Sequence, residues 1–253
     1  MASLDGFEAV VFDTDGVLTD TAVVHAGAWQ RLFDEFFTRW TAANDDEQAP
    51  FDPVGEYLAL VDGKPRSDGV RSVLAARGID LPEGDPRDGP GAETVCGLGN
   101  AKDAYFHERL RADGVRAFED AVRLLDRLDT SGHRAAAVSA SRNAREVLAV
   151  AGVLDRFVVV VDGVDSDDLG LPGKPDPALF LAAAERLEVD PGSAVVVEDA
   201  IAGVEAGRRG GFGLVVGVDR VGQGERLGRA GADVVLPDLD HLHPDGTRDE
   251  ERP

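Results

Sequence analysis

Phe12-Asp13-Thr14-Asp15-Gly16-Val17 follows directly on the apolar run Ala9–Phe12, and the reading of this stretch decides the fold. A short, continuously apolar run suits a strand buried on both faces. Two aspartates and a glycine at its carboxyl end place acidic chemistry where an open α/β sheet binds its ligands. Five further apolar runs follow: Ala135–Val138, Phe157–Val161, Ala194–Val197, Leu214–Val218 and Asp233–Leu236. Between them Asp120–Leu128, Ala144–Ala151, Ala178–Leu187 and Ile201–Arg208 have helical spacing. The alternation predicts an α/β fold, a doubly wound (Rossmann-like) parallel sheet with helices on both faces.

From about Ala22 to Ala112 no buried strand is legible, and Leu32–Trp40, Val54–Val61, Val70–Arg77 and Lys102–Arg111 read as helices. The expected organisation is a core of residues 1–20 plus 113–245, an inserted helical cap domain over 21–112, and a frayed polar tail over 246–253.

In a sheet of order 3-2-1-4-5 the ends of strands 2, 1 and 4 are neighbours. Ser139 ends the second run, Glu198-Asp199 the fourth, and Lys174 is expected just beyond the third, so these residues converge on Asp13 and Asp15. Carboxylates 4 Å apart repel by roughly 4 kcal/mol at an effective dielectric near 20, so they must protonate or share a cation. An all-oxygen donor set suits Mg²⁺. Asp13, Asp15, Glu198 and Asp199 are the candidate metal residues, Asp15 through its main-chain carbonyl. Kept ionised, Asp13 can attack phosphorus, and Asp15 can serve as general acid and base. Ser139 and Lys174 are expected to hold the transferring phosphoryl oxygens.

Other readings of the acidic stretch exist. An ordinary turn is one. A calcium loop would need an acid at positions held by Val11 and Ala22 and is disfavoured. Gly97-Leu98-Gly99 follows no strand and lacks the third glycine of a dinucleotide fingerprint.

The four elements Asp13-Thr14-Asp15-Gly16, Ser139, Lys174 and Glu198-Asp199, in this order, resemble the haloacid dehalogenase superfamily of phosphotransferases. Within it the chain is most similar to the β-phosphoglucomutase branch. His25 and Trp29 lie in a stretch similar to the one that enters that branch's cap. Ser139-Ala140-Ser141-Arg142-Asn143 looks like its phosphate loop, with Arg142 where lysine is usual. Asp62-Gly63-Lys64-Pro65-Arg66 looks like the cap loop whose arginine takes the distal phosphate, and Ala101-Lys102-Asp103 like a second cap contact that is usually Arg-Lys-Asn. The resemblance implies interconversion of β-D-glucose 1-phosphate and β-D-glucose 6-phosphate through the 1,6-bisphosphate. It also implies substrate contacts at Gly63, Arg66 and Lys102, the planar guanidinium of Arg66 suiting bidentate phosphate binding. His25 has three open readings: a partner for Asp15, a substrate contact near the hinge, or an ordinary packed or exposed histidine. A phosphatase of a small sugar phosphate would keep the same core residues, and so would a non-catalytic sugar-phosphate sensor.

The net charge of -22 argues against nucleic acid as a partner. No apolar run approaches the ~18 residues of a membrane span, no signal peptide is legible, and the single cysteine cannot form an internal disulfide. A cytoplasmic monomer acting on a small sugar phosphate is expected, without nucleic acid or membrane partners.

Overall fold

The computed structural model describes residues 1–244, so the tail expected to fray, 246–253, lies outside the described residues. The chain runs through β1 (Ala9–Asp13), α1 (Ala22–Asn44), α2 (Arg66–Ala76), α3 (Val95–Asp113), α4 (Glu119–Ser131), β2 (Arg134–Val138), α5 (Ala144–Val150) and β3 (Val159–Val161). It continues through α6 (Gly163–Leu169), α7 (Ala178–Arg186), β4 (Ala194–Glu198), α8 (Ile201–Arg209), β5 (Leu214–Val218), α9 (Gly224–Ala230) and β6 (Val234–Leu236). A π-helical turn spans Tyr57–Val61, and Ala2–Ser3 pairs with Leu242–His243 in a separate parallel ribbon.

The main sheet has the order β3-β2-β1-β4-β5-β6, and every pairing in it is parallel. Successive residues of a strand face opposite sides, and the cores divide accordingly. Val10, Phe12, Ala135, Ala137, Val195 and Val197 pack on one face with Leu124, Leu125 and Leu128 of α4. Ala9, Val11, Ala136, Val138 and Val196 pack on the other with Leu179 and Phe180 of α7 and Val204 of α8. Both faces are dry, which is why these strands read as unbroken apolar runs.

By its internal contacts the chain divides into Met1–Asp20 with Val115–Pro253, and Thr21–Gly114. The second unit is helical and has its own core. In α1 the buried residues are Val24, His25, Ala28, Trp29, Leu32, Phe33, Phe36 and Phe37, a stripe repeating every four residues. Trp29 stacks on Phe33 at 5.6 Å and Phe33 on Phe37 at 5.4 Å. Each fully buried aromatic of this kind contributes about 1.5–3 kcal/mol. The helix ends at Asp45, whose φ of 52° leaves the helical region.

Three local expectations are corrected. The third strand begins at Val159 rather than Phe157. Helix α6 stands between that strand and Lys174, so Lys174 does not sit just beyond a strand end. The segment expected as a helix over Val54–Val61 is helical from Gly55, most of it as the π-turn Tyr57–Val61 rather than as a regular α-helix. No helix among the described residues is long and apolar enough to cross a membrane.

Candidate active site

The site forms where β1, β2 and β4 end side by side. Asp13 is the last residue of β1 and pairs in register with Val138 of β2, while Phe12 pairs with Val197 of β4. The chain beyond Asp13 turns back at once. Leu18 N donates to Thr14 O at 3.0 Å, Gly16 N to Thr19 O at 2.9 Å, and Thr14 Oγ1 to Val138 O at 3.2 Å. Gly16 permits this turn because its φ is +86° and because a Cβ there would stand 2.0 Å from Asp199 Oδ2.

Asp13, Glu198 and Asp199 each offer a carboxylate oxygen within 4.8 Å of the others. Lys174 Nζ donates to Asp13 Oδ1 and, at 2.5 Å, to Glu198 Oε1. Both carboxylates and the ammonium are buried. Glu198 is further fixed by Ala200 N, which donates to its Oε2 at 2.6 Å, and by Gly203 of α8, where a Cβ would stand 1.6 Å from Oε1.

Burial pushes the Asp13 carboxyl well up; Lys174 opposes the rise, and the Glu198 and Asp15 carboxylates add to it. Burial also works against the charge on Lys174, but Asp13 and Glu198 together outweigh it and hold the ammonium above the ordinary lysine range. One ammonium thus faces more negative charge than it can balance. A hard divalent cation fits this all-oxygen cluster.

Asp15 is not in the three-residue group: its Oδ2 accepts the Ser139 hydroxyl at 3.0 Å. The Ser139 oxygen in turn accepts Ser141 N at 3.0 Å, and Ser141 Oγ accepts Asn143 N at 3.2 Å, so residues 139–143 form a loop held by its own hydroxyls. Ala140 lies in this loop, and Arg142, half-exposed, is ion-paired with Asp167 of α6.

This motif order on this sheet is matched across the chain by known proteins. A model described as haloacid dehalogenase-like hydrolase covers residues 7–211. The chain belongs to the haloacid dehalogenase-like hydrolase family. Among its relatives, a β-phosphoglucomutase of Mycobacterium bovis is 48% identical over 92% of this chain and 90% of its own length. A β-phosphoglucomutase of Bacillus subtilis is 32% identical over 90% of this chain and 88% of its own. The crystal structure of a β-phosphoglucomutase from Clostridium difficile superposes with a TM-score of 0.73 at 25% identity, covering 92% of each chain. The inserted helical unit is the cap domain of this haloacid dehalogenase-like fold.

Within that cap, Arg66 opens α2 and bonds two residues of α3: Nη1 meets Asp103 Oδ1 at 2.7 Å and Nη2 donates to Asn100 Oδ1 at 3.3 Å. Lys102 is buried against the Trp29 and Phe106 rings, its Nζ 2.6 Å from His25 Nδ1, and His25 stacks on Phe106 at 4.3 Å. Gly63, with φ +69°, turns the chain between the π-turn and α2, and Lys64 Nζ donates to Ser72 Oγ at 3.0 Å.

Sequence reasoning passed over several polar groups that the fold brings to these sites. Asn100 holds Arg66, and so does Asp103, which the sequence places in the second cap contact without any sign of its pairing with Arg66. Arg220 and Gln223, in the loop after β5, reach the backbone of Gly16, Val17 and Asp199. The one available signal was positional: β5 neighbours β4, so the loop at its carboxyl end borders the site.

Proposed function

We propose that the enzyme is a β-phosphoglucomutase that interconverts β-D-glucose 1-phosphate and β-D-glucose 6-phosphate. The observation that carries the chemistry is the carboxylate group of buried Asp13 and Glu198 with partly buried Asp199, the first two ion-paired with buried Lys174, beside Asp15 hydrogen-bonded to Ser139. The choice of substrate is supported by 48% identity to a mycobacterial β-phosphoglucomutase over nearly the whole chain.

In this reading an Asp13 carboxylate oxygen attacks phosphorus, forming an aspartyl phosphate while the bond to the sugar oxygen breaks. The protonated Asp15 gives its proton to that departing oxygen. When the phosphoryl group has come from the 1-position of the bisphosphate, glucose 6-phosphate leaves. A β-glucose 1-phosphate then presents its 6-hydroxyl, Asp15 takes the hydroxyl proton, and the oxygen attacks the aspartyl phosphorus. This frees Asp13 and re-forms the bisphosphate, ready to turn around and offer its 1-phosphate. Lys174 and the loop Ser139–Asn143 steady the phosphoryl oxygens, and Arg66 and Lys102 take the second phosphate. Asp13 and Asp199, with Glu198 alongside and the Asp15 main-chain carbonyl, would hold Mg²⁺, which when bound offsets charge on the phosphoryl group.

A second reading, a phosphatase of a small sugar phosphate, is favoured by the Asp103 carboxylate that already occupies Arg66. One assay separates the two: β-glucose 1-phosphate with Mg²⁺ and a trace of the 1,6-bisphosphate, following glucose 6-phosphate and free phosphate together. Glucose 6-phosphate with little free phosphate supports the mutase. Free phosphate without glucose 6-phosphate replaces it with the phosphatase.

A further inference from the structure

The turn after Asp13 and the end of β4 approach each other closely at Gly16 and Asp199, where a Cβ on Gly16 would strike the Asp199 carboxylate. One loop, between β5 and α9, holds the backbone on both sides of that approach. Arg220 Nε donates to Gly16 O at 3.3 Å and its Nη2 to Val17 O at 3.3 Å. Gln223 Nε2 donates to Asp199 O at 2.9 Å.

We infer that the loop from Asp219 to Gly224 is a two-armed clamp, with Arg220 positioning Asp15 through the turn that contains it and Gln223 positioning Asp199.

Neither arm is a loose surface group. Arg220 is anchored by Asp120, with Nη1 to Oδ2 at 2.8 Å and Nη2 to Oδ1 at 3.2 Å, and its guanidinium lies 4.1 Å from the centre of the Phe118 ring. Asp120 is itself buried and accepts Leu239 N at 2.7 Å. Gln223 is buried, and the loop that carries it is closed by Asp219, which accepts Gln223 N at 2.7 Å and Gly224 N at 3.0 Å.

The chemistry of each arm suits its task. A guanidinium is planar and rich in donors, so one side chain can satisfy two adjacent carbonyls and a carboxylate at once; an ammonium cannot span them in the same plane. Asp15 lies within the turn that Leu18 N and Thr19 N close on Thr14 O, so freeing the Gly16 and Val17 carbonyls loosens the acid–base group. An amide donor on the Asp199 carbonyl sets the backbone from which a metal-holding carboxylate projects, and outer contacts of this kind typically change metal affinity 10–100-fold when lost.

This rests on reading Asp15 as acid–base and Asp199 as a metal residue, and the two arms separate experimentally. The test uses the full chain and two variants, Arg220→Lys and Gln223→Met. Mn²⁺ affinity is read from the free-ion electron paramagnetic resonance signal, with no substrate present. Steady-state turnover is then read at saturating metal. For Gln223→Met the expected result is roughly tenfold weaker Mn²⁺ binding, with kcat unchanged once the metal saturates. For Arg220→Lys it is a kcat lowered roughly tenfold, with KM and Mn²⁺ affinity unchanged. Unaltered Mn²⁺ affinity in Gln223→Met overturns that arm. Full kcat in Arg220→Lys overturns the other, and so does failure of that variant to fold, since Arg220 would then serve only the fold. If the unaltered protein binds Mn²⁺ but turns over no sugar phosphate, the proposed function fails while the Gln223 arm is still decided by the metal titration.

Discussion

Lys174 Nζ lies 2.5 Å from Glu198 Oε1, and neither group reaches solvent to any useful extent. Glu198 therefore keeps Lys174 in place beside Asp13, and the lysine keeps two buried carboxylates tolerable. Replacing Lys174 with Met leaves both acids unbalanced. Removing one partner of a buried ion pair costs about 3–5 kcal/mol, so the urea midpoint of Lys174→Met in EDTA should fall steeply. The double variant Lys174→Met/Glu198→Gln should recover part of that loss. An unchanged midpoint in the single variant would mean that the lysine does not balance the cluster.

Asp13→Asn should abolish turnover and leave no phosphoenzyme on rapid quenching, because an amide is not a nucleophile toward phosphorus. Asp15→Asn should still form some phosphoenzyme, but more slowly by ~10²–10⁴-fold, the range for a lost general acid–base. Equal burst amplitudes and rates in Asp15→Asn and the unaltered chain would remove Asp15 from that role.

Arg66→Ala tests the cap. Hydrogen bonds to charged groups contribute about 1.5–3 kcal/mol, so mutase kcat/KM should drop by roughly 10–100-fold while hydrolysis of a small monophosphate changes little. Asp103→Asn should act in the opposite sense, since it frees the Arg66 guanidinium from a carboxylate at 2.7 Å and should tighten binding of the bisphosphate. Titration of the 1,6-bisphosphate against both variants checks the pair.

Acid should loosen the cap at Glu56. Its Oε1 accepts Arg77 Nε at 2.9 Å and its Oε2 accepts Nη2 at 2.7 Å. Burial alone would raise this carboxyl, but the Arg77 bonds and the Asp52 amide more than offset it and hold it below its usual range. A depressed folded value means that the stabilisation is present above the unfolded value, about 4.3 for Glu, and is lost as pH falls through the folded one. Glu56→Gln should thus be less stable than the parent at pH 7, with the gap closing on acidification. Urea unfolding followed across that window measures it, and a gap independent of pH would contradict the assignment.

The sheet was legible because every strand of its centre is buried on both faces, so Val10 and Val11 alike had to be apolar. The convergence of Asp13, Ser139 and Glu198 followed from strand order and needed no side-chain detail. Helices α6 and α9 were not legible. Gly163-Val-Asp-Ser-Asp-Asp-Leu169 has almost no apolar repeat and begins instead on a capping box at Asp162. Helix α9 buries only Leu227. That hidden α6 is why Lys174 was expected too near its strand. The contacts of Asp120, Arg220 and Gln223 were equally silent, since each is one polar residue whose partners are distant in the chain and carry no spacing.

Strand β1 is made early yet lies between β2 and β4, and the whole of Thr21–Gly114 is made before either neighbour exists. On the ribosome, then, the helical insertion has all its own core partners first, and compact units tend to form as they are completed. Ala9–Phe12 must wait, apolar and unpaired, until Arg134–Val138 and Ala194–Glu198 have emerged. Asp13, the proposed nucleophile, is thus among the earliest residues to be synthesised and among the last to acquire its full surroundings. A nascent chain cut short before Glu198 carries a finished cap and no chemistry.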